Sequence, residues 1–337
     1  MQEIAVQESI TKRNLVLLVA AFAAVYIFWG STYLAIKYAI ETIPPLIMAG
    51  SRFVVAGVIL LTWARFTKDY EKPKAAHWRT ALIIGTLLLL GGNGGVVFAE
   101  RHISSSLAAL LVAVEPFWVV LLSWLWLGNK RPSLKVVAGL LAGFLGVWLL
   151  ISGHPAGGGP DSSDSMRLIG SFVVVAATVC WALGSIYGLK GSVPKSSIQS
   201  AGMQMLSGGI VLFIFSFFTG DWQQLDVAHI SSNSIFGVIY LIIFGSLLGF
   251  TAYSWLLKNA APSMVATYAY VNPVIAVILG WLIAGETFTG QMLIGAGVIV
   301  GSVVLITSQG KSSKESEVEV EDEDIGTSAG AAASASA

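Results

Sequence analysis

The sequence predicts an all-α integral membrane protein of ten transmembrane helices, arranged as two inverted five-helix repeats. Three observations carry this: too few charges for a water-facing surface, ten apolar runs of spanning length, and an internal repeat.

Of the 337 residues, 55% are hydrophobic and 11% charged. A soluble domain carries about 25% charged residues, so lipid is the solvent that fits the deficit. Lys plus Arg equals Asp plus Glu at 19 each, and net charge therefore says nothing about partners. Cys180 is the single cysteine, so no intramolecular disulfide forms and the redox compartment is undetermined. His77, His102, His154 and His229 all fall between apolar runs, which argues against a metal cluster.

A spanning helix needs about 20 apolar residues. The runs are 15–36, 46–64, 80–99, 104–127, 135–152, 168–189, 198–218, 235–257, 262–284 and 291–308. The first is too long for a signal h-region and lacks a small-residue cleavage site, so it reads as a retained span. Cytoplasmic loops are enriched in Lys and Arg. With the N-terminus inside, the clusters Lys12-Arg13, Arg65 to Arg79, Lys130 to Lys135, Lys190-Lys195 and Lys311-Lys314, together with Lys258, are internal. Only Lys37, Arg101 and Arg167 are external, and Arg52 lies within a span. The expected location is the cell inner (plasma) membrane, multi-pass, with both termini cytoplasmic.

Residues 104–128 match residues 261–285 at a constant offset of 157. Glu115-Pro116 falls on Asn272-Pro273, Trp124 on Trp281 and Gly128 on Gly285. Gly30-Ser31-Thr32-Tyr33 falls on Gly184-Ser185-Ile186-Tyr187 at an offset of 154. Five helices per copy is odd, so the second copy enters the membrane from the opposite side. Inverted repeats of this kind build two related gates around one site in many secondary transporters. The expected organisation is an N-terminus 1–13, a first repeat 14–153, an external linker 154–167, a second repeat 168–308 and a disordered acidic and Ala/Ser-rich tail 309–337.

Within the spans, Glu115 is the only acid near mid-helix. A charge at the bilayer centre costs on the order of 2.5–3.5 kcal/mol, so it is expected to face a cavity or the bundle interior. It then serves substrate contact or proton coupling, or it bonds two helices together. Pro116 frees a carbonyl one turn earlier. Asn272-Pro273 repeats the arrangement with a neutral amide. Arg52 can hold a substrate carboxylate in its planar fork; it can also snorkel outward, or pair with Glu100 or Glu41. Asn93 stands in Gly91-Gly92-Asn93-Gly94-Gly95, where the glycines suit close helix contact and the amide suits cavity lining.

The residues resemble the EamA-type permeases of the drug/metabolite transporter superfamily over about 14–308. The resemblance rests on YIFWGSTYLAIK, PPLIMAGSRFVVAG and GGNGGVVFAERHISSSLAALLVAVEPFWVVLLSWLWLG in the first half. In the second half it rests on WALGSIYGLK, LKNAAPS and ATYAYVNPVIAVILGWLIAGETFT. It implies a ten-helix fold, a central cavity and efflux of metabolites or drugs. It also puts Trp29, Tyr33, Trp181, Tyr187, Tyr268 and Tyr270 on cavity-lining helices, with Trp29, Trp181 and Tyr270 nearest mid-span. The substrate-binding set expected here is Glu115, Asn272, Asn93, Trp29, Tyr33, Trp181, Tyr187 and Tyr270, with Arg52 as a substrate-carboxylate contact. Trp63, Trp78, Trp126 and Trp222 read as belt or loop residues. The family has Gly-Glu after its fourth helix, as in Gly285-Glu286; the first half has Gly128-Asn129 instead. That departure makes Glu286 read as a loop residue.

The function these features indicate is secondary transport by alternating access, exporting amino-acid-like metabolites or amphipathic drugs. The alternative is a non-transporting receptor or scaffold. No nucleotide-binding motif is present, and no histidine lies within a span to act as a catalytic base, so an enzyme is not expected. The expected partners are a small-molecule substrate and the lipid bilayer, with no cofactor, no metal and no nucleic acid, as a monomer or homodimer. Proton coupling and facilitated exchange both fit.

Overall fold

The computed structural model describes residues 15–127, 133–152, 163–260, 265, 268–286, 289–302 and 305, and these are helical or loop throughout. Seven helices are long and apolar enough to cross a membrane. They are α1 (Leu15–Ala39), α2 (Pro45–Ala64), α3 (Ala75–Ala99), α4 (Ser105–Trp126), α6 (Asp164–Lys190), α7 (Ser197–Phe218) and α8 (Ser232–Leu257). Three further apolar helices fall at the remaining predicted runs: α5 (Leu134–Ser152), α9 (Tyr268–Ala284) and α10 (Gly290–Ser302). Gly128-Asn129, His154 and the acidic tail lie outside the described residues.

The helix ends follow from local chemistry. Ser104, Ser163, Ser196 and Ser231 each precede a helix and accept from a backbone N–H in its first turn. Pro45 opens α2, where its missing N–H costs nothing. The buried Asp221 carboxylate accepts from the Leu46 N–H at 2.8 Å and ties that end to the segment after α7.

Burial is inverted relative to a soluble protein. Arg52, Glu100, Glu115 and Gln199 are buried, while Phe66, Leu134 and Phe218 are more than 80% exposed. Such an outer face suits lipid. Trp63, Trp78, Trp126 and Trp222 are all exposed, as expected of belt or loop residues.

Glycines decide how closely the helices approach. A Cβ on Gly57 would sit 2.6 Å from the Leu206 nitrogen and 3.0 Å from the Gly202 carbonyl. On Gly209 it would sit 2.8 Å from the Val54 nitrogen and 3.1 Å from the Gly50 carbonyl. The antiparallel pair α2–α7 therefore crosses reciprocally, Gly50 meeting Gly209 and Gly57 meeting Gly202. Small residues of this kind let membrane helices touch backbone to backbone.

Three stretches are π-helical: Val25–Trp29 in α1, Thr86–Gly94 in α3 and Leu241–Phe250 in α8. Wide turns of this type gather at functional sites. Here all three border the same cavity.

Candidate functional site

A cavity opens between α1, α2, α3, α4, α6, α8 and α9. Its wall is mainly apolar with few polar groups, as the walls of small-molecule sites are. Two of those groups carry opposite charge in their ionised forms, and each is held by its own partner.

On α2 and α3, Arg52 Nη2 donates to Asn93 Oδ1 at 2.5 Å. The guanidinium carbon lies 4.3 Å from the Phe53 ring centroid, and Arg52 Nε has no partner among the described residues. The glycine run around Asn93 is spent on packing. A Cβ on Gly91 would meet Cys180, one on Gly92 Trp181, and one on Gly95 Ala177. The π-helical turn leaves the Asn93 amide facing the cavity. Arg52 does not snorkel: it is 3% exposed, and Glu41 is at the surface.

On α4 and α9, Tyr268 Oη donates to Glu115 Oε2 at 3.1 Å. The helix of α4 stops at Val112, turns through Ala113 and Val114, and restarts at Glu115. Pro116 lacks the N–H that would bond the Val112 carbonyl, so the break falls where proline puts it. Asn272, at the matching place in α9, lines the same cavity. With its amide nitrogen turned inward it donates to the carbonyls of Tyr26 at 3.1 Å and Tyr268 at 3.3 Å.

Between these groups stands an aromatic cluster. Trp29 and Trp181 meet edge to face with centroids 5.8 Å apart, and Tyr268 lies 5.3 Å from Trp29. Such edge-to-face pairs favour one fixed arrangement of rings. Trp29 Nε1 donates to the Gly245 carbonyl in the π-helical part of α8 at 3.1 Å. Trp29 packs on Gly249 and Trp181 on Gly92, so each tryptophan rests on a glycine of the other half.

At the end of the bundle where α4 begins, Glu286 is buried rather than free in its loop. Its carboxylate accepts from the Ser105 hydroxyl at 2.7 Å, the Ser106 hydroxyl at 2.5 Å and both serine N–H groups at 3.2 Å. Lys37 Nζ donates to it at 3.1 Å. Burial works against the charge, yet the Ser106 and Ser105 hydroxyls and Lys37 hold the carboxyl below its usual range. Glu286 thus clasps the segment after α9 to the N-terminus of α4 and to α1.

The cavity gathers Glu115, Asn272, Asn93, Arg52, Trp29, Tyr33 and Trp181. Tyr187 instead packs against the buried apolar cluster around α2 and α3. The Tyr270 side chain lies outside the described residues, and Tyr268 contributes the phenol that α9 brings to Glu115. Two residues were missed: Phe250 on the wall, and Tyr253, whose ring is tilted against Trp29 with centroids 4.9 Å apart. Tyr268 and Asn272 are four apart and share a helix face, a spacing that could have favoured Tyr268 over Tyr270.

The profile of the EamA-like transporter family matches the chain twice, over residues 14–152 and 168–308. The inner membrane transporter YedA of Escherichia coli K12 is 38% identical over 296 residues, covering 88% of this chain and 92% of its own. The transporter YvbV of Bacillus subtilis is 28% identical over 293 residues, covering 87% and 92%. The protein PecM of Dickeya dadantii is 26% identical over 284 residues, covering 82% and 88%. One solved crystal structure superposes with a TM-score of 0.59 at 19% identity, over 89% of this chain and 98% of its own, which shows a common fold. The family model and the names of these relatives indicate a membrane transporter. The chain belongs to the EamA-like transporter family and is YedA-like.

Proposed function

We propose that the protein is a secondary transporter of the inner membrane. It exports small amphipathic, amino-acid-like metabolites by alternating access through the central cavity. The observation that carries this reading is the wall itself: an aromatic cluster flanked by Arg52–Asn93 and by Glu115–Tyr268. A guanidinium suits a carboxylate, a carboxylate suits an ammonium, and the rings suit an apolar body between them.

In this reading α1 to α5 and α6 to α10 are inverted halves of a ten-helix fold, with both termini in the cytoplasm. The reciprocal glycine contacts of α2 with α7 support it. Gly50 and Gly57 lie 152 residues before Gly202 and Gly209, so each half offers the other the same surface. The crossed seating of Trp29 on Gly249 and Trp181 on Gly92 supports it again.

The test is transport in proteoliposomes with three probes that share a ring: L-phenylalanine, phenethylamine and 3-phenylpropionate. Phenylalanine should move and compete with both others. Glu115→Gln should lose phenethylamine, and Arg52→Gln should lose 3-phenylpropionate. Absence of movement and competition for all three in wild type would overturn the proposed cargo class.

A further inference from the structure

Glu100 is the residue after α3, 7% exposed, and both its carboxylate oxygens are buried without a hydrogen-bond partner among the described residues. Few buried carboxyls remain so, because an unpaired carboxylate out of water is costly. The charged groups around it are accounted for. Lys37 of α1 is bonded to Glu286, and Arg52 of α2 is bonded through one terminal nitrogen to Asn93. The Glu286 carboxylate, in the segment after α9, and the Tyr33 hydroxyl of α1 lie within electrostatic reach of it. Arg52 lies within electrostatic reach, and its Nε is unpartnered as well. The next residue, Arg101, is exposed, so water stands one residue away.

We propose that Glu100 is a proton-binding site at the end of α3, and that its charge decides whether Arg52 is free for an anionic group of the cargo. The second half of this rests on the cavity being the cargo site. A neutral Glu100 leaves the guanidinium and its free Nε to a carboxylate in the cavity. An ionised Glu100 competes for the same guanidinium. Burial pushes the carboxyl well above its usual range, and the Glu286 carboxylate pushes it further, while Arg52 and Lys37 pull it back. The proton enters from water beside Arg101 and returns there, with no other reactant. A carboxylate cargo and a proton then bind together rather than in exchange. As pH rises through the Glu100 titration, the dissociation constant for an anionic probe should rise by up to about tenfold per pH unit, the limit for one linked proton.

The experiment is an infrared pH titration of the full chain in lipid nanodiscs, from about pH 5 to about pH 9, which brackets the shifted range. Glu115→Gln serves as the background, so that the cavity acid is silent. A protonated-carboxyl band that titrates above the usual carboxylate range is expected there and should vanish in Glu115→Gln with Glu100→Gln. The same band in both proteins would overturn the proton site. Should the double variant not fold, Lys37→Gln in the same background must move the titration upward; an unmoved band overturns the site equally. Quenching of tryptophan fluorescence by 3-phenylpropionate reads the Arg52 half. In the Glu115→Gln background its affinity should fall with pH, and it should be independent of pH when Glu100→Gln is added. An affinity independent of pH in Glu115→Gln alone overturns that half. If no ring probe binds at any pH, the cargo reading fails, and the infrared band still decides whether Glu100 holds a proton.

Discussion

Glu115-Pro116 and Asn272-Pro273 occupy matching places in the two halves, and the same dipeptide plan has two outcomes. In α4 the helix stops before Glu115 and restarts, leaving the acid on the cavity wall with a phenol from the other half as its partner. In α9 the helix runs on through Pro273, and the Asn272 amide turns back to the carbonyls of Tyr26 and Tyr268. The scaffold is shared and the chemistry is not. An amide both donates and accepts, so it can support its own helix; a carboxylate cannot donate and needs a partner elsewhere. The difference recurs after the same helix of each half, with Gly128-Asn129 in one and Gly285-Glu286 in the other.

If the scaffold is shared, equivalent backbone contacts should fail equally. Gly57→Val and Gly209→Val each drive a Cβ against a backbone nitrogen and should each cost about 3 kcal/mol or more. Gly50→Val and Gly202→Val meet wider gaps and should cost less. Thermal melting followed by size exclusion measures this, and unequal losses between Gly57 and Gly209 would break the equivalence.

The chemistry should differ just as clearly. Glu115→Gln is expected to reduce phenethylamine transport at least about tenfold, since hydrogen bonds to charged groups are worth about 1.5–3 kcal/mol. Asn272→Ala should leave the cation preference intact and lower stability instead. A loss of cation preference in the Asn272 variant would make the two positions chemically alike.

Glu286→Gln should lower stability by about 1.5–3 kcal/mol near neutral pH, through the loss of a charged acceptor. Its folded-state pKa is depressed, so its contribution is present above the ordinary value of 4.5 and lost as pH falls below it. Glu100 works in the other direction. Its folded-state pKa is raised, so stability declines as pH climbs from 4.5 through the folded value. Melting temperatures of wild type against Glu286→Gln should therefore converge in acid. A gap that persists there would mean the clasp does not depend on charge.

The smallest effect is expected from Tyr268→Phe. It removes one hydrogen bond to Glu115 but leaves the carboxylate in place, and should weaken phenethylamine binding only several-fold without touching 3-phenylpropionate.

The spans were legible because hydropathy and length report directly on a lipid solvent. Glu115 and Asn272 were legible because the repeat aligned them. Arg52 and Asn93 were legible singly but not as a pair, since no periodicity links residues 41 apart on different helices. Glu286 read as a loop residue because its partners Ser105, Ser106 and Lys37 are about 180 or more positions away. Glu100 was weighed only as a partner for Arg52, and burial with both oxygens unpaired is visible only in three dimensions. Tyr187 was carried by family resemblance, which identifies the helix and leaves its facing open.

The π-helical stretches of α3 and α8 hold one residue more than an α-helical path would. Deleting a single residue within Thr86–Gly94 would let that stretch relax to an ordinary helix, with a hydrophobic length nearly unchanged. Residues inside the stretch would change facing by up to about 100°, while the helix on either side kept its place. The Asn93 amide would then swing off Arg52, and the glycines would no longer meet Cys180 and Trp181. This part of the chain is therefore constrained in residue number as well as in residue type.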